Sequence, residues 1–276
     1  CESDVFADSG LTTATIEDGT TSILSNMFNS AEKLVNVTIP DTVTSIDQSA
    51  FYGCTKLSQV NLPPNLQFMG WRAFAGCTSL TSVEIPKSLT ECDSDVFADS
   101  GLTTVTFEKG TTSVPDRLFN NAGNLTNVVI PNTVTSIGNS SFSDCTSLVK
   151  IELPDSVTSI EQDAFKECTK LSQIDLPKNL EYMGSCAFMN CTSLTSVEIP
   201  KSLTDCRWDV FTGSGLTTVT FEEGTTRIAS NVVTSVSTLI NVTIPETVTS
   251  IGSYAFAGCN NLEKIVIPES VISIDE

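Results

Sequence analysis

Apolar residues recur along this chain in a short template, Leu-x-x-(Val/Ile/Ala)-x-(Ile/Leu/Phe). It starts at Leu11, Leu34, Leu57, Leu80, Leu102 and Leu125, and again at Leu148, Leu171, Leu194, Leu216, Leu239 and Leu262. Successive starts lie 23 residues apart, except for steps of 22 that end at Leu102 and Leu216. The fourth and sixth positions of each copy are apolar, with polar residues between them. Such alternation predicts a short strand with one buried face. Pro usually follows, as at Pro40, Pro63, Pro86, Pro131 and Pro154. Lacking an N–H, it cannot continue a ladder and stops the strand.

A second apolar run, Val-Thr-Ser-Ile, follows at residues 43–46, 134–137, 157–160 and 248–251, and an Ala-Phe pair comes next, as at Ala50-Phe51 and Ala164-Phe165. Residues 77–90 (CTSLTSVEIPKSLT) return letter for letter at 191–204, a block of five repeats later. One 23-residue coil buries almost nothing alone. Stacked coils share continuous columns of Leu, Ile, Val and Phe. The chain therefore predicts a β-rich curved solenoid of about twelve 22–23-residue coils, with a parallel sheet on the concave face and strands about 4.8 Å apart. Thr, Val, Ile and Ser dominate, so helix should be scarce. Residues 1–276 read as a single solenoid domain, a fragment of a longer repeat protein.

Residues 148–171, LVKIELPDSVTSIEQDAFKECTKL, carry every element of the repeat. This pattern resembles the bacterial surface-antigen (BspA-like) class of leucine-rich-repeat proteins over essentially the whole chain. The resemblance implies an extracellular or cell-surface location and attachment to host or neighbouring-cell proteins. The departures are local. Glu17, Glu108 and Glu222 stand where Pro is usual, and the 22-residue copies lack the corner Cys.

Charge narrows the partners. Fourteen basic residues against 33 acidic ones give a net charge of −19, which repels nucleic acid and anionic lipid. No apolar run approaches the length of a membrane span. Histidine is absent, which removes the commonest general base and metal ligand. No nucleophile elbow or phosphate-cradling Gly loop occurs, so no catalytic residue, cofactor or metal site is assigned.

Six of the ten cysteines, Cys54, Cys77, Cys145, Cys168, Cys191 and Cys259, occupy one slot three residues before the repeat Leu. Other copies put Ala31, Ala122 or Val236 there, so the slot reads as small and buried, and the thiols as free. Disulfides between adjacent coils are disfavoured, because in-register Cβ vectors run parallel and too far apart. Cys1, Cys92 and Cys206 read as core, and Cys186 as exposed. Trp71 and Trp208 share a column away from the sheet, where packing of a loop outweighs sugar stacking. Asn36, Asn124, Asn139, Asn190 and Asn241 begin Asn-x-Ser/Thr sequons.

The outward positions of the main strands are mostly Thr, Ser and Asn. One stretch breaks that background: Glu152, Asp175 and Glu198 fall on three consecutive coils, beside Lys150, Gln173 and Ser196. Like charges facing each other across strands are destabilising by up to about 1 kcal/mol. A solvated ladder partly offset by Lys150 is the plain reading. The functional one is a concave-face site for a basic or cation-bridged protein partner. Two further readings remain: a spacer or filament body that self-associates through uncapped ends, and a carbohydrate-binding module.

Overall fold

The computed structural model describes residues 4–275. The described chain forms strands and turns without a helix. A long row of three- and four-residue strands runs from Thr13–Thr15 to Asn241–Thr243, one per coil, with an isolated bridge at Gln59 in place of a strand. A short row of two-residue strands runs from Ser22–Ile23 to Ser273–Ile274. Every pairing is parallel and in register: Val83 faces Val105, and Ile137 faces Ile160. Eleven coils carry the long row, against the twelve expected, because the copy beginning at Leu262 forms no main strand. Val266 and even Ile267, at the apolar sixth position, are exposed there rather than pinned in a ladder.

The predicted parity holds. Val83 and Ile85 are buried, and Ser82 and Glu84 face solvent. The repeat leucines from Leu34 to Leu239 are fully buried. A spine of phenylalanines closes the third side of each coil. Phe6, Phe28, Phe51, Phe74, Phe97, Phe119, Phe142, Phe165, Phe188 and Phe211 stack in sequence, with ring centroids 5.0 to 5.7 Å apart. Strands in a sheet lie about 4.8 Å apart. The wider ring spacing fits a stack that curves with the long row on the inside.

The 22-residue copies lose their residue at the corner after Phe97 and Phe211. Gly-Cys-Thr-Ser-Leu at 76–80 becomes Asp-Ser-Gly-Leu at 99–102. The shortened corner presses Gly101 against the preceding coil, where a Cβ would run into the Thr78 carbonyl, and Gly215 meets Thr192 the same way. Ser100 replaces the missing thiol, its hydroxyl donating to the Phe97 carbonyl at 2.7 Å. The short row breaks at both steps, between Glu91–Cys92 and Ser113–Val114 and between Asp205–Cys206 and Arg227–Ile228. The long row continues through them, with four-residue pairings at Ser82–Ile85 and Ser196–Ile199.

Glu in place of Pro changes the next turn's type but keeps its hydrogen bond. The Val43 N–H donates to the Pro40 carbonyl at 3.1 Å, and the Thr111 N–H donates to the Glu108 carbonyl at 3.1 Å. Gly110 sits at φ 92°, the positive φ that the third residue of a type II turn requires. Unlike Pro, Glu108 also has an N–H, which donates to the Ile85 carbonyl at 2.9 Å and lengthens the strand.

Candidate functional site

The outward face of the long row carries the six residues singled out above, and all six are exposed. Glu152 pairs directly with Asp175, and Lys150 with Gln173. Ser196 and Glu198 lie one coil further on, in a separate ladder that pairs them with Thr218 and Thr220. Lys150 Nζ lies 3.2 Å from Glu152 Oε1 of its own strand, so the first carboxylate of the series is neutralised locally. Asp175 and Glu198 have no comparable cation beside them on the strand. Among the described residues no group of three or more Cys, Asp or Glu is placed to hold a metal ion.

The face is not smooth. An open trough of about 800 Å³ crosses three coils, lined by Gln173, Asp175, Lys178, Glu198, Thr218 and Glu222 among others. A second trough of about 790 Å³ lies 114 residues earlier and is lined at equivalent positions by Gln59, Asn61, Pro64, Glu84, Thr104 and Glu108. Lys150 and Glu152 line a smaller depression of about 380 Å³ with Asn127 and Val129. The six predicted residues are therefore divided between two neighbouring hollows. The sequence reading missed the trough at Gln59 and Glu84, because Glu84 alone does not stand out as a charge stack. The exact copy at 77–90 and 191–204 was the signal for it.

Each trough ends at a lysine–glutamate clamp across the 22-residue step. Lys87 Nζ donates to Glu108 Oε1 at 2.8 Å, and the Lys87 N–H donates to Oε2 at 3.0 Å. Lys201 holds Glu222 through the same two contacts, both at 3.0 Å. The hydrogen bond from the Lys87 side chain, with help from its N–H, lowers the Glu108 pKa. For Glu222 the Lys201 backbone N–H is the larger cause.

The slot cysteines are free. Their sulfurs lie against the carbonyl of the spine residue 26 positions earlier: Cys77 on Phe51 at 3.1 Å, Cys168 on Phe142 at 3.1 Å. Burial pushes Cys54 and Cys191 up to about 12. Three thiols depart from expectation. Cys92 is half-buried, whereas Cys206 at the equivalent break is buried, and Cys259 is half-buried because its coil has little stacked over it. Cys186 is also half-buried rather than exposed. Its pKa is raised by burial and then by the Asp163 and Asp209 charges on the flanking coils. Cys1 lies outside the described residues.

Away from the sheet, Trp71 contacts the turn of the next coil. Its indole N–H donates to Asp95 at 3.2 Å, and the Arg72 guanidinium lies 4.6 Å from the ring centre. Trp208 leans on Tyr254 at 5.3 Å and remains exposed. Three sequon amides are engaged in the fold: Asn124 with the Ser100 carbonyl, Asn139 with Asp116 and Asn190 with Glu167. No helix among the described residues is long and apolar enough to cross a membrane.

Comparison with known proteins decides the family. Six copies of the BspA-type leucine-rich-repeat region match residues 1–126, 112–240 and 234–276. The chain belongs to the BspA-type leucine-rich-repeat family. Among solved structures, this BspA-type chain is similar to a leucine-rich repeat protein from Bacteroides ovatus, with TM-score 0.63 and 24% identity over 95% of this chain and 82% of that one. A leucine-rich repeat protein from Eubacterium ventriosum gives TM-score 0.52 and 24% identity over 96% and 81%. A leucine rich cell surface protein from Faecalibacterium prausnitzii gives TM-score 0.49 and 28% identity over 96% and 87%. The first two likenesses concern the fold. No curated protein matches the chain in sequence.

Proposed function

We propose that this BspA-type solenoid is an extracellular or cell-surface binding module that attaches to protein partners through its concave sheet. It acts by binding, without catalysis or a cofactor. The observation that carries this reading is the division of labour in the repeat. The apolar columns, the spine and the turns are occupied in building the fold, whereas the outward columns of the long row are mostly polar, face solvent and are hollowed. Asp175 and Glu198 stand there without a neutralising neighbour on their own strands, which favours a partner presenting Lys or Arg. Such charge pairing gives specificity and faster association, and it weakens with salt.

Adhesion to whole cells tests this reading whichever surface protein is the partner. Beads coated with the parent chain or with Glu152→Thr/Asp175→Thr/Glu198→Thr are applied to bacterial and cultured animal cells at several salt concentrations. The parent is expected to adhere, less so at high salt, and the triple variant to lose most of its adhesion. Equal adhesion by the two would contradict the concave-face reading.

A further inference from the structure

The two large troughs are copies of one site. Their linings correspond position by position at an offset of 114 residues: Gln59 with Gln173, Ser82 with Ser196, Glu84 with Glu198, Thr104 with Thr218, Glu108 with Glu222. Each is crossed by a 22-residue step, and each is bounded by the same clamp, Lys87–Glu108 in one and Lys201–Glu222 in the other. Three exchanges distinguish them: Val60 with Ile174 is apolar for apolar, and the other two cancel in charge. Asn61 gives way to Asp175 and Pro64 to Lys178, so each lining carries a net charge of −2.

A fold does not require this equality. Several other outward positions differ between blocks: Lys150 and Glu152 correspond to Asn36 and Thr38, which are uncharged, and Val129 corresponds to Thr15. The troughs also have the size of ligand sites, typically 300–1,000 Å³. Both open on the same face of one continuous stack, five coils apart, a separation of about 24 Å at 4.8 Å per coil.

We infer that the concave face is bivalent: its two equivalent acidic troughs together grip one protein partner that presents two clusters of Lys or Arg about 24 Å apart. This inference rests on the concave-face binding reading and adds to it the number of sites, their spacing and the chemistry of what enters them. Charge complementarity selects the occupant. Each trough offers unpaired carboxylate on its floor, at Glu84 or at Asp175 and Glu198, while its rim glutamate is already committed to lysine. The duplicated step supplies the ruler. Two weak sites held at a fixed spacing give an avidity that neither has alone, provided the ligand spans them.

Peptide probes test the spacing directly. One peptide carries a single Lys-Arg pair. A second carries two such pairs joined by eight prolines, which span about 25 Å as a polyproline helix, and a third joins them by four prolines, about 12 Å. Calorimetry against the intact chain is expected to show two equivalent weak sites for the first peptide. The eight-proline peptide should bind one to one and about 100-fold tighter than the single pair, and the four-proline peptide should not gain. The gain should vanish in Glu84→Thr and, separately, in Asp175→Thr/Glu198→Thr. All three are exposed strand positions, and Thr already occupies the matching exposed position at Thr38. Equal affinity for the two linked peptides, a gain that survives loss of one trough, or no binding by any probe at millimolar concentration would overturn the inference. So would occupation of the troughs by a neutral oligosaccharide in competition with the peptides. If cells still bound the parent and not the triple-threonine variant, only bivalency would fall; if that difference also disappeared, the binding reading would fall with it.

Discussion

Lys87 grips Glu108 twice, once through its ammonium at 2.8 Å and once through its backbone N–H at 3.0 Å, across a step where the repeat is one residue short. The contact joins two coils at the position where the short row of strands is interrupted. Its exposure to solvent keeps its contribution to stability small. Its main consequence is a fixed orientation for the rim carboxylate.

The Glu108 carboxyl therefore titrates below the ordinary range. A depressed carboxylate stabilises the fold above its unfolded pKa of about 4.3 and loses that contribution as pH falls through the lower folded value. Lys87→Ala should return the Glu108 titration towards about 4.3, read by carboxyl NMR. An unchanged midpoint would mean that the N–H alone sets it.

The thiols give the opposite sign. Cys54 and Cys191 are pushed up to about 12 by burial. Groups with raised folded pKa values contribute fully below the unfolded value, here about 8.5, and lose the contribution as pH rises towards 12. Urea midpoints should fall steadily above about pH 8.5, with a shallower slope in Cys54→Ala/Cys191→Ala. In the native state a thiol reagent should reach Cys186, Cys92 and Cys259 before the six buried cysteines.

Phe142 lies between Phe119 and Phe165 at 5.5 and 5.4 Å and is fully buried. Phe142→Ala opens the spine in mid-array and should destabilise by about 3–5 kcal/mol. Chemical denaturation checks this, and a loss under about 1 kcal/mol would show that neighbouring coils collapse into the gap.

Much of this architecture is legible in the sequence because period and parity act on every coil at once. A slip at Val83 would have turned Ser82 and Glu84 inward along with it. The cysteine slot is legible as small and apolar, but the contact of each sulfur with a carbonyl 26 residues back is not, since it depends on how coils stack. The half-burial of Cys92 and Cys186 is hidden for the same reason, since it too depends on how neighbouring coils stack. Of the candidate site, the charged stack stands out by composition. The hollows do not, because they arise where a shortened corner meets an extended strand.

Cys186 also occupies left-handed backbone, at φ 59°, in a column where Asp163 and Asp209 do likewise. Asn tolerates that conformation better than Cys. Cys186→Asn should raise stability by about 0.5–1 kcal/mol by thermal unfolding, and a loss would indicate that the thiol packs productively.

Lysine footprinting of the chain while it is attached to cells tests the concave-face account most directly. Lys150 and Lys178 lie on or beside the hollows of the long row, and Lys166 lies on the remote side, next to Asp163. Acetylation of the attached chain, quantified by mass spectrometry, should show Lys150 and Lys178 protected several-fold relative to free chain and Lys166 unchanged. Protection of Lys166 with Lys150 and Lys178 left reactive would contradict the account and place the binding surface on the opposite side of the solenoid.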